Sequence, residues 1–204
     1  VFVHVARVTD AGVYVSGAKV VATGSALTHF PFIAHHGFTP VQEKPYACVF
    51  IVPTNAPGFK LICRVSNEQR AVELGTPFDY PLSSRLDEND AICVMDNVFV
   101  PWEDVFVYAD VEKANNFFPR TGFLPRALIH GCTRLAVKLD FLVGVIAKAL
   151  KAAGSDEFRG NQALLGEVIA WRNLFWALTD AMAHNPTPWV GDAVLPNAQS
   201  GSGY

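Results

Sequence analysis

Residues able to do chemistry gather in three places along this sequence. His29, His35 and His36 crowd the segment THFPFIAHHG, where an imidazole can move a proton near neutral pH or ligate a metal. The surrounding residues do not supply a zinc-ligand spacing, so no metal site is expected. Two readings remain for these histidines: polar contacts on a pocket-facing loop, or ordinary turn and surface positions. Just upstream, GAKVVATGS (residues 17–25) closes a strand-like run with small and hydroxylated side chains. Such an end lets a flat ligand approach the backbone and the Thr23 hydroxyl, although threonine is common in strands for packing reasons alone. The third cluster, residues 79–90, includes Ser83, Ser84, Arg85, Asp87, Glu88 and Asp90, and by composition it reads as a solvated loop. No nucleophile elbow, P-loop, dinucleotide glycine motif or H-E-x-x-H occurs.

The elements that must position these groups change character along the chain. VFVHVARVTD alternates with period two, Ala11-Gly12 marks a turn, and VYVSGAKVVATG resumes the alternation. ACVFIVPT and GFKLICRV flank a turn cluster at residues 53–58, and AICVMDNVFVPWEDVFVY is β-rich but broken by Pro101. Short strands joined by Gly and Pro turns imply an antiparallel barrel or sandwich. After about Tyr108, Leu124, Leu128, Leu135, Leu139, Leu142, Ile146 and Leu150 fall near helical spacing, with Gly154 as a stop. Ser155 or Asp156 is the expected cap of a second helix. In it Leu164, Val168, Trp171, Phe175, Leu178 and Met182 step by threes and fours up to Asn185-Pro186. The short connection predicts an antiparallel pair. Arg172, Glu167 and Asp180 are expected on a solvated or inter-subunit face. Strands followed by helices without alternation make the fold α+β. Residues 1–112 form the expected β domain, and 113–204 the start of a helical bundle.

Composition narrows the function classes. The 204 residues are 50% hydrophobic and only 17% charged, with a formal net charge of -3, a mean hydropathy of +0.22 and a pI near 6.1. Ordinary soluble domains carry about 25% charged residues. Disorder is excluded, and the negative balance argues against nucleic acid or an anionic membrane as partner. Residues 20–42 lack charge over the length of a spanning helix, but Pro31, Pro40, three histidines and several hydroxyls do not suit a bilayer core. Cys48, Cys63, Cys93 and Cys132 are far apart with no C-x-x-C. They read as buried small hydrophobes in a reducing cytoplasm. The apolar surplus is expected to meet other subunits or other parts of a longer chain, of which this reads as an internal segment without a secretion leader.

Longer motifs carry a resemblance. GAKVVATGSALTHF, PFDYPLSSRLDENDAICVMDNVFVPWEDVFVY, RLAVKLDF, EFRG and GEVIAWRNLFWAL resemble the 4-hydroxyphenylacetate 3-monooxygenase oxygenase family across essentially the whole chain. That family comprises two-component, reduced-flavin-dependent aromatic hydroxylases with an acyl-CoA dehydrogenase-like fold. The resemblance implies a central β-barrel followed by the first helices of a C-terminal bundle. It implies FAD, used as FADH2 with O2, and a separate flavin reductase that supplies it. It also implies a small phenolic substrate and a homodimer or homotetramer.

Residue by residue, the resemblance places Thr23 near flavin N5 as a cofactor contact. Residues 35–46 (HHGFTPVQEKPY) take the place of a variable lid, making His35 and His36 candidate substrate contacts. The family's acid–base residues are expected upstream of Val1. The implied reaction passes through a flavin C4a-hydroperoxide and ortho-hydroxylates a phenol, 4-hydroxyphenylacetate being the leading substrate. A chlorophenol or nitrophenol monooxygenase is the near alternative, and a non-catalytic oligomerisation or binding module is a rival of another class. A true acyl-CoA dehydrogenase segment fits the D-E-N-D and V-P-W-E motifs less well.

Overall fold

Period-two alternation at the start of the chain becomes a hairpin in the computed structural model, which describes residues 2–20, 22–35 and 39–201. Strand β1 (His4–Thr9) pairs antiparallel with β2 (Gly12–Lys19). There follow β3 (Phe32–Ile33), β4 (Cys48–Ile51), β5 (Phe59–Cys63), helix α1 (Asn67–Leu74), β6 (Ala91–Pro101), β7 (Val105–Tyr108) and helix α2 (Val111–Arg120). Two sheets result, one ordered β1-β2-β6-β5 and one ordered β3-β4-β7, with antiparallel pairing throughout.

The sheets share one core. Val13, Val15, Met95, Val98 and Val100 from the larger sheet cluster with Ile33, Phe50 and Val52 on the smaller sheet's side. Strand β4 is buried on both faces. Cys48 and Phe50 enter that core, whereas Ala47 and Val49 join Val41, Val107 and Ala114 of α2 in a second cluster. Burial on both sides explains why residues 47–52 are an unbroken apolar run rather than an alternating one. Burying a side chain such as Phe50 stabilises the fold by roughly 1.5–3 kcal/mol.

Strand β6 changes phase midway. Ala91, Cys93 and Met95 are buried, and so are Val98 and Val100, so the inward face moves from odd to even positions. A bulge makes the change: Val15 pairs with Val98 but Gly17 with Met95, leaving two β6 residues opposite Ser16. Asn97 takes a φ of 54° there, and its N–H donates to Ser16 Oγ at 3.0 Å. Asparagine tolerates the left-handed region better than most residues. Gly58 closes onto the same spot with a φ of +87°, where a Cβ would lie 2.3 Å from the Asp96 carbonyl oxygen.

Residues 1–117 form one compact unit and residues 118–204 a second. The second is built on α3 (Phe123–Ala152) and α4 (Arg159–His184). A small β8 (Thr187–Pro188) and β9 (Val194–Leu195) hairpin and a short α5 (Ala198–Gly201) follow. Cys132, Ala136, Phe175 and Met182 are the buried seam, flanked by Leu128, Leu135, Leu139 and Leu178. Asp140 accepts hydrogen bonds from Arg172 and from Trp176 Nε1 (3.0 Å), which fixes the antiparallel register. The Arg172 hydrogen bond holds the Asp140 carboxyl below its ordinary range, with the Trp176 bond adding to it. Arg172 therefore clasps its neighbour helix rather than facing only solvent.

Gly154 ends α3 in a left-handed conformation, as its position predicts. Neither Ser155 nor Asp156 caps α4, whose N-cap is Phe158 without a side-chain bond. Ser155 instead closes the preceding turn, its N–H and hydroxyl donating to the Leu150 carbonyl. Leu124 and Leu164 at the far ends of the stripes stay exposed.

Gly58→Ala is expected to destabilise the β unit by about 1–3 kcal/mol, because it meets both a positive φ and a backbone oxygen. Gly144→Ala, in open space on α3, is expected to stabilise by about 0.5–1 kcal/mol. Denaturant unfolding of the two variants checks both signs.

Candidate functional site

Three strand ends converge on one polar network. Beyond the end of β2, Ala22 N–H donates to the Ala91 carbonyl at 2.9 Å and Gly24 N–H to the Asn89 carbonyl at 2.7 Å. These bonds tie residues 22–24 to the start of β6, and the Thr23 side chain is exposed. Thr23 Oγ1 donates to Asp90 Oδ1 at 2.5 Å. Arg64, directly after β5, donates its backbone N–H to the Asp90 carbonyl at 3.2 Å. Its Nε lies 3.9 Å from Asp90 Oδ2, and its guanidinium donates to Asp87 Oδ1 at 3.2 Å. Asp87 also accepts from the Asn67 N–H at 3.0 Å, tying in the start of α1.

Space is open beside this network. A Cβ at Gly24, whose φ is +73°, would meet nothing within 4 Å. Asn89 Oδ1 is buried with no hydrogen-bond partner among the described residues. Ser25, next in the chain, is buried and donates to the Ala22 carbonyl at 2.7 Å. These features suit a flat, hydrogen-bonding ring laid against the strand end.

A cavity of about 230 Å³ opens between the end of β2 and residues 33–48. Lys19, Ile33, His35, Val41, Tyr46 and Cys48 line it, a mostly apolar wall with a few polar groups. His35 Nε2 is bonded to the Thr39 carbonyl. A carbonyl only accepts, so Nε2 carries the proton and Nδ1 of the neutral ring is an acceptor. Burial pushes the Cys48 thiol up to about 11, against the opposing pull of Lys19. Burial likewise lowers Lys19 from its ordinary value, with Cys48 opposing.

The sequence-derived candidates thus fall into different surroundings. Thr23 stands at the strand-end network and does not line the cavity that holds His35. His36 lies outside the described residues. His29 is exposed, and its carbonyl accepts from the Thr54 N–H at 2.9 Å. Among the described residues, no group of three or more His, Cys, Asp or Glu is arranged to hold a metal ion.

Two assignments need correcting. The acidic run at 79–90 is more than a solvated loop, since Asp87 and Asp90 are bonded to Arg64 and Thr23. Cys63 is exposed, unlike Cys48, Cys93 and Cys132. Sequence reasoning missed Lys19 and Arg64, each following or ending an apolar strand where a cation stands out. It also missed α1, whose Ser66-x-x-Gln69 start is a capping signal: Ser66 Oγ accepts from the Gln69 N–H at 3.1 Å.

The antiparallel double-sheet unit and long helical hairpin define an acyl-CoA dehydrogenase-like fold. A steroid acyl-CoA dehydrogenase shares it at a TM-score of 0.58 and 18% identity, over 91% of this chain and 43% of that one. Family profiles are more specific: "4-hydroxyphenylacetate 3-hydroxylase N terminal" matches residues 1–107 and "4-hydroxyphenylacetate 3-hydroxylase C terminal" matches residues 114–204. The chain belongs to the 4-hydroxyphenylacetate 3-hydroxylase family.

It is 57% identical over 204 residues to the (3S)-3-amino-3-(3-chloro-4-hydroxyphenyl)propanoyl-[peptidyl-carrier protein SgcC2] monooxygenase of Streptomyces globisporus, covering 100% of this chain and 38% of the relative. It is 55% identical over 205 residues to the 4-hydroxyphenylacetate 3-monooxygenase oxygenase component of Pseudomonas aeruginosa, covering 100% of this chain and 39% of the relative. The crystal structure of the oxygenase component (HpaB) of 4-hydroxyphenylacetate 3-monooxygenase complexed with FAD and 4-hydroxyphenylacetate superposes at a TM-score of 0.87 and 30% identity, over 98% of this chain and 41% of that one. The chain therefore spans about two fifths of the proteins it matches. Among the described residues, no helix is long and apolar enough to cross a membrane.

Alkylation at pH 8 is expected to label Cys63 and spare Cys48, whose thiolate emerges only as the pH approaches about 11. Peptide mass spectrometry of the native protein reads both sites.

Proposed function

We propose that this chain is a segment of a reduced-flavin-dependent monooxygenase that ortho-hydroxylates a phenol, with 4-hydroxyphenylacetate converted to the 3,4-dihydroxy product. The observation that carries the reading is the exposed Thr23 hydroxyl, held against the start of β6 beside open space at Gly24, in a chain of this family. FAD, as FADH2 with O2 as co-substrate, supplies oxygen activation when bound. Thr23 contacts the ring near N5, and the backbone of residues 22–24 gives it a rigid edge.

His35 contacts the phenol, and His36, outside the described residues, is the second candidate from the sequence. With Nε2 engaged by the Thr39 carbonyl, Nδ1 of His35 is the atom that can hold a phenol proton. A more anionic phenol ring is more electron-rich and accepts oxygen faster. Ile33, Val41 and Cys48 give the cavity beside His35 an apolar wall for the phenol ring. The other acid–base groups belong to the part of the protein preceding Val1. A separate reductase delivers FADH2, and the protein works in the cytoplasm as a homodimer or homotetramer. The unpaired cysteines suit that compartment.

A second reading keeps the chemistry and changes the phenol. The Streptomyces relative, named for a carrier-protein-bound 3-chloro-4-hydroxyphenyl substrate, is as similar to this chain as the 4-hydroxyphenylacetate enzyme is. A chlorophenol or nitrophenol falls in the same class.

The full-length protein with FADH2, O2 and 4-hydroxyphenylacetate is expected to release the catechol, read by liquid chromatography. Peroxide release without a hydroxylated product from any phenol tested contradicts the proposal. Thr23→Ala is expected to raise uncoupled peroxide formation roughly fivefold, as the loss of about one hydrogen bond. Unchanged coupling in that variant removes Thr23 from the site.

A further inference from the structure

The hydrogen bond that occupies Thr23 has a direction, and that direction selects among ligands. A threonine hydroxyl has one proton and two lone pairs. Here the proton is committed to Asp90 Oδ1 at 2.5 Å. A carboxylate oxygen cannot return a proton, so Thr23 Oγ1 presents only lone pairs to whatever lies on its open side. Asp90 is itself held: its carbonyl by the Arg64 N–H at 3.2 Å, and Oδ2 within 3.9 Å of Arg64 Nε. Arg64 is fixed in turn by Asp87 at 3.2 Å and by the Asn67 Oδ1 at 3.2 Å. Reversing the hydroxyl gives up its bond to Asp90 Oδ1.

We infer that Asp90, anchored by Arg64, is a positioning residue that turns Thr23 into an obligate acceptor and so makes the site prefer reduced over oxidised flavin. The inference rests on the placement of Thr23 at flavin N5 proposed above. Thr23 Oγ1 would accept from the hydrogen that a reduced isoalloxazine carries on N5. The oxidised ring has a bare N5 lone pair, which would face a second lone pair. A two-component enzyme needs such a bias, because it must take the reduced ring from its supplier and release the oxidised one. The Asp90–Thr23 contact joins residues far apart in sequence, brought together only because β2, β6 and β5 are neighbours in one sheet.

The test is anaerobic titration of the full-length protein with reduced and with oxidised FAD, each followed by flavin fluorescence, together with thermal melting of every variant. The wild-type protein is expected to bind reduced FAD at least about tenfold more tightly than oxidised FAD. In Asp90→Ala the Thr23 hydroxyl is free to rotate, and the affinity ratio is expected to fall about tenfold, chiefly through tighter binding of oxidised FAD. Asp90→Asn, whose side-chain oxygen still accepts, is expected to restore most of the ratio. Asp90→Ser, too short to reach Thr23, replaces the alanine variant if that one does not fold. A wild-type ratio in Asp90→Ala or Asp90→Ser, with a lowered ratio in Thr23→Val, overturns the role of Asp90 and leaves the flavin site standing. Failure of the wild-type protein to bind either form of FAD overturns the functional reading itself, and this inference with it.

Discussion

Strand β6 is bonded along both edges, to β2 on one side and β5 on the other, and the candidate site depends on that double pairing. Antiparallel pairing brings the end of β2, the end of β5 and the start of β6 to the same end of the sheet. Thr23, Arg64 and Asp90 stand at these three points. The backbone bonds of Ala22 to residue 91 and of Gly24 to residue 89 hold the segment after β2 against the start of β6, in a pairing shifted by one residue from Lys19–Cys93. Groups mounted on paired strands are held more closely than groups on free loops, which matters where a hydroxyl's orientation decides what it can bind.

The bulge at residues 96–97 is the structural counterpart of this arrangement. It lets β6 present Cys93 and Met95 inward at one end and Val98 and Val100 inward at the other. Without the phase change, one half of the strand would turn its apolar residues to solvent. The core beneath the site therefore stays continuous along a long strand. Gly58, pressed against the Asp96 carbonyl, and Asn97, in the left-handed region, are the residues that make the bulge possible.

Much of this was legible from residue order. The alternation in residues 1–20, the apolar run at 47–52 and the three-and-four spacing in the last third identify the two-sheet unit and the helical hairpin, because each pattern reports which faces are buried. Thr23 was legible as a strand-end hydroxyl, and the longer motifs as a family resemblance. The partnership of Thr23 with Asp90 was not. It depends on strand order in the sheet, and no local pattern encodes that order. The acidic run 79–90 misled for the same reason, since composition alone cannot say whether a carboxylate meets water or an arginine from another strand. The capping of α4 failed differently: Ser155 and Asp156 are good cap residues, but the turn after Gly154 uses Ser155 to finish α3. Cys63 sits at the end of β5, where an apolar run continues past the point at which burial stops.

The two chemical environments of the β unit divide the proposed work. The strand-end network is polar, open and fixed in direction, and suits the ring of a flavin. The cavity around His35 is apolar, with a proton acceptor at one nitrogen, and suits a phenol. A crystal structure of the full-length protein with reduced FAD is the most direct test of that division. The account predicts N5 of the ring within hydrogen-bond distance of Thr23 Oγ1, with the Thr23–Asp90 bond intact. A ring bound away from Thr23, or a Thr23 hydroxyl turned from Asp90 toward N5, would contradict it.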